Sequence, residues 1–97
     1  MEAMAVIFIG RRHAPFYLAK TVTELSARDV VKLVARGQFI AKAVSVAVRV
    51  IKVSGCEYHV VIDEEEVSSD SGTRFVPKIE IELVKKAAGP KDADSAA

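Results

Sequence analysis

The chain has 97 residues, 51% of them hydrophobic but only 6% aromatic and none Trp, which bounds it to one domain with a modest aliphatic core. Cys56 is the single cysteine, so a disulfide scaffold is excluded and a reducing, cytosolic setting is expected. Arg11, Lys20, Lys32 and Lys42 interrupt the apolar stretches, and no run reaches the roughly 18 residues of a membrane span. Met1-Glu2-Ala3-Met4 runs straight into a strand-like segment and lacks the charged start of a signal peptide. Net charge is +1, but unevenly placed. Residues 1–56 carry nine Lys or Arg against three acids, which is +6, and residues 57–97 carry five against ten, which is −5. Such polarity suggests one surface built to meet an anion.

In chain order, Ala5 to Ile9 is a short apolar run closed by Gly10, read as a buried strand. Arg11-Arg12-His13-Ala14-Pro15 forms a loop, and Pro15 suits the first turn of a helix. From Phe16 to Ala27, Leu18, Val22 and Leu25 recur at helical spacing and predict one apolar stripe. Val30 to Ala35 is a second strand, punctuated by Gly37. Gln38 to Val53 is the clearest helix, with Ile40, Val44, Ala47, Val48 and Ile51 on one face and Lys42, Arg49 and Lys52 on a separate stripe. Gly55 is its left-handed cap.

The remainder predicts one long hairpin. Tyr58, Val60 and Ile62 alternate in the outgoing strand, and Phe75, Ile79, Ile81 and Leu83 share a face of the return strand. Residues 68–73 form a flexible tip, and Pro77 marks an edge position or a bulge. Arms of about eleven residues would reach on the order of 35 Å, beyond a second helix of roughly 23 Å, so the tip projects. The order is β-α-β-α-β-β: a two-layer α+β sandwich of about four strands with two helices on one face. Residues 1–88 are the domain and 89–97 a disordered tail.

No catalytic constellation appears. His13 and His59 lack metal-ligand spacing with Cys56, and Asp63-Glu64-Glu65-Glu66 points alternately to opposite faces of a strand. Gly10-Arg11-Arg12 is not a phosphate-cradling glycine loop. A binding protein without cofactor or metal is expected, not an enzyme. Arg11 and Arg12, ahead of a helix N-terminus, could converge with its N–H groups on one phosphate. Arg36 precedes the second helix in the same way. Lys42, Arg49 and Lys52 could track a backbone, and Arg74 near the hairpin tip could enter a minor groove. Tyr17 and Phe39 are read as core or dimer residues before base-stacking ones, and Cys56 as a small buried hydrophobe.

The segment Val31-Lys32-Leu33-Val34-Ala35-Arg36-Gly37-Gln38-Phe39-Ile40-Ala41-Lys42-Ala43-Val44 resembles the signature of the Alba family of archaeal chromatin proteins, a strand, then Arg-Gly, then a helix opening on a Ser-Lys-Ala-Val-like segment. Ile9-Gly10-Arg11-Arg12 resembles the family's Gly followed by two basic residues, and Ile79-Glu80-Ile81-Glu82-Leu83 its last strand. The matches keep order and spacing from about residue 5 to residue 86.

The resemblance implies a homodimer, or a heterodimer with a paralogue, that binds double-stranded DNA with little sequence preference and often RNA too. It assigns contacts to Arg11, Arg12, Arg36, Lys42 and Arg74, with helix bodies on the backbone and the paired hairpins along the minor groove. The expected role is coating, bridging and compacting chromosomal DNA. An RNA-binding subunit of an RNA-processing particle and a protein-interaction module are the alternatives. Three features depart from the family pattern. Arg11-Arg12 replaces a Lys pair whose acetylation weakens binding, Gln38 stands where Arg is frequent, and four acids occupy the hairpin arm.

Overall fold

The computed structural model describes residues 4–86, and the tail predicted at 89–97 lies outside them. Seven elements follow one another: β1 (Met4–Phe8), α1 (Ala14–Ala27), β2 (Val30–Arg36), a 3-10 turn (Gly37–Phe39), α2 (Ile40–Ser54), β3 (Glu57–Ser69) and β4 (Gly72–Val84). The strands form one mixed sheet in the order β1-β2-β4-β3. β1 runs parallel to β2, and the two remaining pairs are antiparallel. The parallel pair requires a crossover, which α1 supplies. Both helices lie on the same face, giving the two-layer α+β fold.

The core forms where that face meets the helices. Val31, Leu33 and Ala35 of β2, Ile79, Ile81 and Leu83 of β4, and Ile7 with Ile9 are buried beneath Tyr17, Leu25, Ala43, Val46, Ala47 and Val50. Cys56 is buried with them and has no disulfide partner. Thr21 is the one buried polar side chain among the described residues, and its hydroxyl donates to the Tyr17 carbonyl at 2.7 Å. Burying about ten large aliphatic side chains stabilises by roughly 1.5–3 kcal/mol each, which must offset the cost of ordering the chain.

Both helices bury a stripe shifted from the one their spacing predicts: Leu25 and Ala47 are buried and Leu18, Ile40 and Ile51 pack against the core, but the other members differ. α1 buries Tyr17, Thr21 and Leu25, while Val22 stays exposed. Tyr17, Thr21 and Leu25 lie at i, i+4 and i+8, and Val22, one position past Thr21, falls about 100° away from that stripe. α2 buries Ala43, Val46, Ala47 and Val50, and leaves Val44 and Val48 about four-tenths exposed. The small Ala43 and Ala47 let α2 approach the sheet closely. Its second apolar stripe, Val44-Val48-Ile51, then looks sideways over the hairpin.

β1 is an edge strand with one buried face, not the fully buried strand expected: Ile7 is buried, whereas Val6 and Phe8 are exposed on the helix-free face. Gly55 caps α2 at φ 72°, and its N–H donates to the Ile51 carbonyl. β3 and β4 hold continuous register from Glu57 opposite Val84 to Ser69 opposite Gly72. The tip is therefore tighter than predicted, with only Asp70 and Ser71 outside the strands. Pro77 stands opposite Glu64 without a bulge, one residue before Lys78, where pairing of β4 with β2 begins. There its missing N–H leaves no ladder bond unmade. The molecule measures 57 × 29 × 23 Å, its long axis set by the hairpin.

Candidate nucleic-acid interface

The loop after β1 is held from two directions. Tyr17, one turn into α1, accepts hydrogen bonds from the backbone N–H of Gly10 at 2.9 Å and of Arg12 at 3.3 Å. Lys42, in the first turn of α2, donates from Nζ to the carbonyls of Gly10 at 2.6 Å and Arg12 at 2.7 Å. Donors and acceptors of the same two residues are thus satisfied by one phenol and one ammonium. With the backbone so engaged, the Arg11 and Arg12 side chains point outward and are exposed. Arg11 has no protein partner among the described residues. The Arg12 guanidinium lies 4.6 Å from the Phe16 ring centroid, a cation–π contact that orients it without neutralising it.

Lys42 is thereby both a cation of this surface and the brace of its loop. Its ammonium also stands 5.8 Å from the Tyr17 ring and 5.5 Å from the Phe39 ring. The start of α1 offers less to an anion than the sequence suggests. Pro15 has no N–H, and the Phe16 N–H donates to the His13 carbonyl at 3.0 Å.

Arg36 ends β2 at the same end of the sheet, where β1 and β2 run side by side with Phe8 opposite Val34. Its side chain turns to the helix-free face and makes a bidentate pair with the Glu65 carboxylate of β3. The hydrogen bond from Arg36 is the first cause that holds the Glu65 carboxyl below its usual range, and the same bond raises the already high guanidinium value. Lys32 and Lys78 of this face approach Glu80 at 3.4 and 3.5 Å. Much of the sheet's own positive charge is compensated internally.

The remaining predicted cations spread out. Arg49 lies two turns beyond Lys42 on the side of α2 facing Ala14, Pro15 and Leu18. Lys52 sits about 60° round the helix from Arg49 and borders the groove of Val44 and Val48. The three do not form one track. Arg74 stands on the hairpin opposite Val67, free of protein partners among the described residues, and lines a cleft shared with Arg36. The structure therefore unites Arg11, Arg12 and Lys42, sets Arg49 along one flank and Arg36 at the same sheet end, and separates Lys52.

No family model matches the sequence, and no curated protein does. Solved structures do. The fold is similar to that of Alba from Thermoplasma volcanium, with 28% sequence identity over 82% of this chain and 99% of that one, at a TM-score of 0.76. It is also similar to ALBA1 from Trypanosoma brucei, with 23% identity over 99% of this chain and 80% of that one, at a TM-score of 0.67. The chain has the Alba fold.

On this Alba fold, the sequence reading leaves two important roles unassigned. Tyr17 is expected from the sequence as a core or dimer residue and is buried, but its hydroxyl also holds the loop through Gly10 and Arg12, a role signalled by the need of a buried tyrosine hydroxyl for a partner. Glu65 was one of four acids, and nothing in the run distinguishes it. Among the described residues of this Alba fold, no three His, Cys, Asp or Glu side chains gather as a metal site, and no helix is long and apolar enough to cross a membrane.

Proposed function

We propose that this chain is a nucleic-acid-binding protein that grips the phosphate backbone of double-stranded DNA as a homodimer, with little sequence preference. In this role it coats, bridges and compacts chromosomal DNA and is associated with the nucleoid. The observation that carries the proposal is the doubly clamped loop, which presents Arg11 and Arg12 outward beside Lys42. Guanidinium groups on a fixed backbone lose little freedom on meeting a phosphate. The likeness to Alba from Thermoplasma volcanium supports it.

Dimerisation rests on a separate surface. β3 lies beyond the helices, so Tyr58, Val60 and Ile62, on the helix side of the sheet, remain 60%, 44% and 77% exposed. Tyr58 and Val60, with Val44, Val48 and Ile51 of α2, border an apolar groove of about 360 Å³, and Ile62 extends the exposed row along β3. A contiguous apolar patch of this kind marks a protein interface. A second copy of the chain satisfies it with like chemistry, as a two-fold contact does.

The test is fluorescence anisotropy with a labelled duplex across a salt series. Affinity falls steeply with salt because each neutralised phosphate releases counterions. Replacing Arg11 and Arg12 together by Ala reduces the log–log salt slope by about two, equally for unrelated sequences. Affinity indifferent to salt between about 50 and 200 mM would rule out backbone binding.

RNA binding is the second reading, favoured by the ion pairs that neutralise Arg36 and Lys32. A surface with fewer free cations suits a shaped RNA site better than wholesale DNA coating. Competition between duplex DNA and structured RNA separates the two.

A further inference from the structure

The helix-free face of the sheet ends in a cleft that has no part in gripping phosphate through the Arg11–Arg12 loop. Phe8 closes β1 with its ring on that face, 64% exposed. It stands beside Val34, and Arg36 lies two residues further along the same face of β2. β2 stops at Arg36, whereas β4 continues past Lys78 through Val76 to Arg74. The 3-10 turn Gly37–Phe39 bends across the gap. Gly37 permits that bend with φ at 54°, and a Cβ there would lie 3.6 Å from Val76. The result is a cleft of about 490 Å³ lined by Phe8, Arg36, Gln38, Phe39, Arg74 and Val76, within the usual small-molecule range of about 300–1,000 Å³.

Its lining is chemically mixed. Phe8 offers an aromatic face and Val76 an apolar floor. Arg74 is an uncommitted cation among the described residues, and Gln38 carries an amide with both donors and an acceptor. Arg36 is already paired with Glu65, so the cleft holds one free guanidinium, not two. Inorganic phosphate would use Arg74 and leave Phe8 and Val76 in water. An apolar peptide would cover Phe8 and desolvate Arg74 and Gln38 without partners, a cost of roughly 1–3 kcal/mol per group. An unstacked nucleotide uses all of them: its base lies on Phe8, its edge meets Gln38, and its phosphate meets Arg74. A paired base cannot do so, because both of its faces are occupied within the duplex.

We infer that this cleft holds one unpaired nucleotide of a single strand, from an RNA loop or from single-stranded DNA. The inference rests on the nucleic-acid-binding function proposed above and adds a strand-selective subsite to it.

The test compares labelled oligouridylate, oligothymidylate and a blunt duplex by anisotropy. Phe8→Ala is expected to weaken binding of the single strands about tenfold, the scale of one lost base-stacking contact, and to leave the duplex unchanged. Arg11→Ala with Arg12→Ala weakens all three. The chain has no Trp, so Phe8→Trp provides a sole indole, and its fluorescence is quenched on stacking. Whichever single strand quenches it more strongly is the preferred source. Unaltered single-strand binding by Phe8→Ala, with no quenching in Phe8→Trp, overturns the cleft while duplex binding through the loop stands. Failure of the unmodified protein to bind any of the three overturns both.

Discussion

Arg36 and Glu65, 29 positions apart in the chain, meet side chain to side chain over β4, with Arg36 Nη2 donating to Glu65 Oε2 at 3.1 Å and Nε donating to Oε1. Both side chains are about four-tenths exposed. The guanidinium that the Alba resemblance assigns to a phosphate is thus already engaged by a carboxylate of the same planar, two-oxygen shape. A phosphate reaching Arg36 must displace Glu65 or take the Nη1 edge beside a negative carboxylate, and either is opposed by Glu65.

Glu65→Gln is therefore expected to strengthen duplex binding. It removes a negative charge and the competitor, and the gain is about two- to fivefold at low salt, shrinking as salt rises. Arg36→Ala in the Glu65→Gln background then costs more than in the unmodified protein. A double-mutant cycle by anisotropy measures the coupling, and additive effects would show that Glu65 does not compete with the nucleic acid for Arg36.

The same pair has a defined pH dependence. Glu65 is held below its usual value by the Arg36 hydrogen bond, so the folded state favours the ionised carboxyl. Its contribution is present above the unfolded value of about 4.3 and is lost as pH falls through the lower folded value. The clasp consequently persists through pH 5 to 8. A titration following the Glu65 side-chain carboxyl carbon by NMR is expected to show its midpoint displaced to acid, and Arg36→Ala returns it upward.

How far the sequence reveals this arrangement depends on the range of the contacts involved. The element order, Gly55 as the cap and the shared face of Ile79, Ile81 and Leu83 follow from local periodicity, and the structure has them all. Which stripe of α2 is buried does not follow. Val44 and Val48 are better hydrophobes than Ala43 and Ala47, but the sheet offers room for a close helix on β2 and β4 and none for cover on β3. Period-two alternation puts Glu65 and Asp63 on one face and Glu64 and Glu66 on the other. The register sets Asp63 in line with Arg36 across Lys78, and the pair forms instead on the diagonal, with Glu65 two residues along β3 opposite Val76.

Tyr17→Phe separates loop geometry from charge. The substitution keeps the ring and every cation but removes the oxygen that accepts from Gly10 and Arg12. One or two partly buried N–H groups lose their partner, so stability falls by about 1–2 kcal/mol. Duplex affinity drops severalfold as Arg11 and Arg12 lose their fixed backbone, with the salt slope unchanged because the phosphate contacts still form. Lys42→Met, by contrast, lowers both affinity and slope. Thermal unfolding and a salt series on the two variants distinguish the two effects.

Val60→Glu tests the apolar groove. Val60 is 44% exposed on β3 and the neighbouring Tyr58 is 60% exposed, so the charge meets water in an isolated chain and destabilises the fold little. In a dimer the same carboxylate is buried against the partner's apolar surface, where an unpaired charge is strongly unfavourable. The variant is expected to be a folded monomer by sedimentation and circular dichroism, with far-ultraviolet spectra unchanged. Its affinity for a long duplex falls on the order of a hundredfold, because two linked binding loops become one. A variant that stays dimeric would place the subunit contact elsewhere, and the exposed row of Tyr58, Val60 and Ile62 would need another partner.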